Sequence, residues 1–153
     1  MTVRICRPFY QGLAARALND TIGAKSAFLA ARAEMEKIIE EEPDYSQALS
    51  VLGMSDAALG RKEDALREAR RAVELFPGDK DPLTYAELIK NLAVVYAWTG
   101  EKEAALSELK GLLQLAAPIS YGQLRLHPYW DALRGDPRFD KFVAESTKPV
   151  AIK

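Results

Sequence analysis

Residues 49–78 read LSVLGMSDAALGRKEDALREARRAVELFPG, and the spacing of their small and apolar residues decides the fold. Gly60 follows Gly53 by seven residues, and Ala65, Ala72 and Pro77 stand 12, 19 and 24 residues beyond Gly53. Ala65, Leu66, Ala69, Ala72, Val73 and Phe76 recur at the period of a helix. Pro77-Gly78 then stops it. The preceding segment predicts a second helix ending near Leu59, with Gly60 where a left-handed residue closes a helix. Asp44 followed by Gln47, just after Pro43, has the pattern of a capping box at its start. Gly53 and Ala65 are small enough for two antiparallel helices to cross closely.

The same pattern is found on both sides. A shift of 40 residues forward brings Leu92-Ala93, Gly100 and Ala105 onto Leu52-Gly53, Gly60 and Ala65, with Leu112 for Ala72 and Ala117-Pro118 near the expected proline. A shift of 34 residues back brings Leu18, Ala31 and Pro43 into place, with Ser26 at the position of Gly60. Three units follow, over about residues 8–43, 44–79 and 81–118, each of two helices. In the first unit the helices are expected over Pro8 to Asn19 and Ala24 to Glu41, with Gly23 in the break. In the third, Asp81-Pro82 supplies an N-cap and a first-turn proline. Its helices end at Thr99-Gly100 and near Leu115. Ala, Leu, Glu, Lys and Arg dominate, and no stretch alternates with period two over strand length. The fold class is therefore all-α. One helical pair cannot bury its apolar face alone, so successive pairs are expected to stack into a superhelix.

At these positions the chain resembles the tetratricopeptide repeat family. The resemblance covers about residues 8–119 and is carried by Leu49, Leu52-Gly53, Gly60, Ala65, Ala72 and Pro77, and again by Leu92, Ala93, Tyr96, Gly100 and Ala105. Asp56 stands where the family usually has an aromatic residue, and Ala69 where a large ring is common. The resemblance implies a right-handed superhelix of three antiparallel helix pairs whose first helices line a concave, peptide-binding groove. The positions it implies for that groove are Arg16 and Asp20, then Gln47, Ser50, Met54 and Ala57, then Glu87, Lys90, Asn91, Val94 and Trp98. Met54, Val94 and Trp98 have a second reading, as core or as contacts of the C-terminal segment. A mixed apolar and polar groove suits an amphipathic helix or an extended segment. Family members that grip a C-terminal carboxylate use basic residues across several units; here Arg16 and Lys90-Asn91 meet that pattern only in part.

Residues 119–147 leave the repeat. Pro128 and Pro137 read as first-turn prolines of short helices. Leu124, Leu126, Trp130, Leu133, Phe139 and Phe142 are apolar enough to cap the last unit. This tail is similar to the ends of repeat arrays in larger bacterial proteins, joined there to a kinase or a DNA-binding regulator. That likeness implies a docking region of a longer chain.

Composition limits the chemistry. The 153 residues carry 21 basic and 22 acidic side chains, so nucleic acid is not the expected partner. Cys6 and His127 are the only thiol and imidazole, so neither a disulfide nor a structural zinc site is expected. No phosphate-binding, nucleophile-elbow or zinc-protease motif is present. His127, before Pro128, reads as a helix N-cap. Glu40 to Glu42 read as a solvated run, and Arg134-Gly135-Asp136 as a helix stop followed by a start. The mixed charges from Arg61 to Arg71 suit an exposed helix face. Arg4, Arg7 and Arg16, with no acid before Asn19, share the charge pattern of a transit peptide. The segment is poor in serine, however, and its apolar period runs on into a helix. No apolar run reaches the ~18–20 residues of a membrane helix. The function expected is a cytoplasmic, non-catalytic protein- or peptide-binding module without cofactor or metal. The alternative is self-association through Ile5, Phe9, Tyr10 and Leu13, which no helix precedes.

Overall fold

A computed structural model describes residues 6–115 and 119–146, and every regular element among them is helical. The elements are α1 (Arg7–Ala17), α2 (Thr21–Glu41), α3 (Ser46–Ala58), α4 (Lys62–Glu74), α5 (Pro82–Trp98) and α6 (Lys102–Leu112). A short α7 (Tyr121–Leu126), a 3₁₀ helix (Pro128–Leu133) and α8 (Pro137–Glu145) follow. Helix α1 packs on α2, α3 on α4 and α5 on α6, while α3 also meets α2 and α5.

The turns explain this pairing. Gly60 and Gly100 both have positive φ, at 79° and 85°. Around Gly60, Arg61 N–H donates to Asp56 O at 2.8 Å and Gly60 N–H to Ala57 O at 3.2 Å. Around Gly100, Glu101 N–H donates to Tyr96 O at 2.8 Å and Gly100 N–H to Ala97 O at 3.4 Å. These are the two bonds of a Schellman motif, which satisfies the last carbonyls of a helix while reversing the chain. The α1–α2 turn has the same pair, Asp20 N–H to Ala15 O and Asn19 N–H to Arg16 O. Asn19 there takes φ 58°, a conformation asparagine tolerates better than most residues.

Asn19, not Ser26, is thus the counterpart of Gly60. The 34-residue register expected for the first unit is corrected to 41. Ser26 lies inside α2, and Leu18, aligned by sequence with buried Leu52, is 80% exposed. Gly23 is not in the break either: it lies in the first turn of α2, where its N–H donates to the Asp20 carboxylate at 2.9 Å. In the corrected register Gly12, Gly53 and Ala93 fall at one position, and Ala24, Ala65 and Ala105 at another; all six are buried. A Cβ on Gly53 would lie 3.0 Å from both Ala65 O and Ala69 N, so the helices cross there backbone to backbone. A Cβ on Gly12 would meet the Phe28 ring at 2.8 Å.

Other boundaries follow local chemistry. Asp81 caps α5 as expected, accepting from Leu83 and Thr84 N–H. The capping box expected of Asp44 and Gln47 does not form. Tyr45 is the N-cap, which puts Gln47 one position early, and Asp44 instead accepts from Arg71 at 3.2 Å. A capping box does form between Ser120 and Gln123 at the start of α7. Helix α6 ends at Leu112 rather than near Leu115. The repeat match at Ala117-Pro118 lies outside the described residues.

In the C-terminal segment, Leu124, Trp130, Leu133, Phe139 and Phe142 are buried, whereas Leu126 is 75% exposed. Arg134 donates to the carbonyls of Leu124 and His127, Gly135 takes φ 86°, and Asp136 caps α8. The stop-and-start reading of this tripeptide therefore holds. His127 Nδ1 accepts from Tyr129 N–H at 3.2 Å, the N-cap role read from Pro128.

Candidate functional site

Helices α1, α3 and α5 face one another across a cleft of about 140 Å³. Helix α3 contributes Gln47, Ser50 and Met54, α5 contributes Glu87 and Asn91, and α1 contributes Phe9 and Tyr10. These side chains meet because α3 packs against α5, which brings positions three or four apart on each helix to one side. Asn91 Nδ2 donates to Ser50 Oγ at 3.0 Å, a buried bond that ties the two helices together at the cleft. An unpartnered amide and an unpartnered hydroxyl here would each cost about 1–3 kcal/mol, so the bond fixes both side chains.

The C-terminal segment closes one end. Tyr129 of the 3₁₀ helix lines the cleft, and Trp98 Nε1 donates to its carbonyl at 3.0 Å. The rings of Trp98 and Tyr129 meet edge to face, 5.8 Å apart. The Trp98 ring also carries the Arg16 guanidinium, 4.6 Å from its centroid. Burial, then Tyr10 and Glu87 nearby, push the Tyr129 hydroxyl above its usual range, so it is a neutral donor here.

The eleven groove positions read from sequence therefore divide. Gln47, Ser50, Met54, Glu87 and Asn91 share the cleft. Met54 is 1% exposed and Val94 is fully buried, so the core reading describes both. Trp98 is held by Arg16 and the C-terminal segment, as its second reading had it. Lys90 pairs with Glu87 at 2.7 Å but lines a different depression, beside Ile119 and Gln123. Arg16 also edges a separate opening with Asn19, Thr21 and Lys25. Asp20 is the exposed N-cap of α2. Ala57, also named for the groove, is buried in the core.

Tyr10, Thr84 and Tyr129 line the cleft and were not among the groove candidates, Tyr10 having been assigned to the self-association face. Tyr10 and Thr84 occupy early turns of α1 and α5, upstream of the repeat positions that carried the alignment. Tyr129 belongs to a segment outside the repeat, where periodicity is silent. Phe9, expected on an outer face, is instead buried against Phe28, with ring centroids 5.7 Å apart. Tyr10 is 57% exposed, Leu13 is half-buried, and Ile5 lies outside the described residues.

Among the described residues, no group of three or more His, Cys, Asp or Glu side chains converges as a metal set would. None of the helices there is long and apolar enough to cross a membrane. Comparison of the chain with protein-family models, curated proteins and solved structures found no match.

Proposed function

We propose that the chain is a non-catalytic helical-repeat module of the tetratricopeptide type that binds an extended segment of a partner protein. In this reading α1–α6 form three antiparallel pairs in a right-handed superhelix, with residues 119–147 as its cap. The observation that carries it is the recurrence of one turn at Asn19, Gly60 and Gly100, each with the same two backbone bonds and with a buried glycine or alanine seven residues before it. Helices repeated in this way present equivalent faces side by side, and the cleft draws its lining from all three first helices.

The size of the cleft selects its occupant. A volume of about 140 Å³ is near the ~150 Å³ that holds one benzene-sized group. It admits one aromatic or branched side chain of an extended segment, not the face of a helix. Tyr10 and Glu87 are exposed at its rim and can meet the flanking backbone and a basic neighbour. The cytoplasm, and a parent protein of the bacterial kinase or regulator type, are the setting that the likeness of the tail suggests.

Selection of a random peptide library on the purified chain tests this. Enriched peptides should share one apolar anchor. Tyr10→Ala with Glu87→Lys should weaken them at least about tenfold, with the melting temperature retained. No enrichment, or affinity unmoved by the double variant, defeats the reading.

Self-association is favoured by a different observation. Leu18 is 80% exposed, Ile22 86% and Leu29 42%, in the α1–α2 turn and along the first half of α2. Exposed apolar residues on one helical hairpin are where an interface between copies would form. A monomer in sedimentation at high concentration removes this alternative.

A further inference from the structure

The junction between α2, α3 and α4 holds two acids where packing alone would place apolar side chains. Asp56, on α3, is fully buried. Its Oδ1 accepts from Arg32 Nε of α2 at 2.7 Å, and Arg61 Nε lies 3.9 Å away. Its Oδ2 is buried with no hydrogen-bond partner. Glu68, on α4, has a side chain 12% exposed, and its Oε2 is likewise buried without a partner. Its Oε1 lies 3.5 Å from Arg67. The two carboxyl groups are within hydrogen-bonding and charge range of each other. Two orphaned acceptors side by side cannot satisfy one another while both are ionised.

We propose that Asp56 and Glu68 share one proton, with Glu68 Oε2–H donating to Asp56 Oδ2, and that this acid–carboxylate bond is a pH-sensitive clasp joining α4 through α3 to Arg32 of α2. The single proton satisfies both orphaned oxygens, and Arg32 neutralises the one remaining charge. The charged groups around the pair are Arg32 and, behind it, Glu36 on α2, Arg61 in the α3–α4 turn, and Asp64 and Arg67 on α4. Burial, then the Asp56 carboxylate, push the Glu68 carboxyl up from 4.5 to about 8.

The sign follows from linkage. The folded chain binds this proton between pH 4.5 and about 8, and the unfolded chain does not. The clasp therefore contributes in full below pH 4.5. Its contribution declines as pH rises to about 8, and no further loss follows above that. Only near pH 8 does the folded chain itself give up the proton and exchange the acid–carboxylate bond for two facing negative charges beside Arg32.

Two measurements test it. In carbon NMR of the whole chain, the Glu68 side-chain carboxyl should titrate near pH 8 rather than near 4.5. Asp56→Asn, which removes the facing charge, should move that midpoint down by at least about one unit. In melting curves from pH 5 to 9, Glu68→Gln keeps an N–H donor for Asp56 but cannot ionise. Relative to wild type, it should gain about 5 °C across that range. A Glu68 midpoint near 4.5, or a Glu68→Gln profile parallel to wild type, overturns the clasp. The wild-type titration decides alone should either variant fail to fold.

Discussion

The α3–α4 and α5–α6 turns share one backbone and differ in what hangs from it. Asp56 and Tyr96 occupy the same place, the residue whose carbonyl accepts the 2.8 Å bond of the turn. Each is tied to an arginine on the helix before its own. Arg32 of α2 reaches Asp56 on α3, and Arg70 of α4 donates to Tyr96 Oη at 3.0 Å with its guanidinium 5.5 Å from the ring centroid. At one junction the arginine meets a buried charge, at the other a neutral ring and hydroxyl. The backbone repeat thus tolerates opposite chemistries at one position, provided the preceding helix supplies a matching cation. An aromatic residue at Asp56 would have left Arg32 without its buried partner.

Breaking the two ties should separate them. Arg32→Met leaves Asp56 charged and uncompensated in the interior, a change that costs about 3 kcal/mol or more when a buried pair loses one member. Urea unfolding at pH 7.5 measures it. Gly53→Leu comes next, at about 2 kcal/mol, because any side chain there drives into the backbone of α4. An unchanged unfolding midpoint would mean that α3 and α4 do not cross at Gly53. Tyr96→Phe removes only the hydroxyl and keeps the ring under Arg70. It should cost about 1 kcal/mol, so the ratio of the first loss to this one measures how much more a buried charge depends on its arginine.

The readable part of this molecule was its punctuation. Gly60, Gly100, Asp81-Pro82, Pro128 and Pro137 each act through a local backbone requirement, and each stands where its chemistry places it. The Gly53–Ala65 crossing was readable because only small residues permit it. The first unit misled because its turn uses Asn19, so the glycine taken for the break was Gly23 and the repeat alignment slid seven residues to Ser26. The cleft was half legible. Gln47, Ser50, Glu87 and Asn91 lie on the periodic face, but the same period also marks Met54 and Val94, which the chain buries. A helical period tells which side a residue is on, not what covers that side, and Tyr129 comes from a segment with no period to read. The Asp56–Arg32 tie joins residues 24 apart in sequence, and no spacing rule connects them.

The smallest expected effects test whether the first turn is a true counterpart of the other two. A Cβ at Gly60 or Gly100 meets nothing within 4 Å, so Gly60→Ala and Gly100→Ala carry only the backbone cost of a left-handed alanine, about 1 kcal/mol each. Asn19 already carries a side chain at φ 58°. Asn19→Ala should therefore lose about the same ~1 kcal/mol. Asn19→Gly relaxes the dihedral but frees the unfolded chain, and these opposed effects should leave stability within about 0.5 kcal/mol of wild type. Urea unfolding of the four variants side by side measures this directly. Equal losses for the three alanine variants put all three turns in one conformational class. A silent Asn19→Ala would set α1 and α2 apart from the other two turns and restrict the shared turn to α3 through α6.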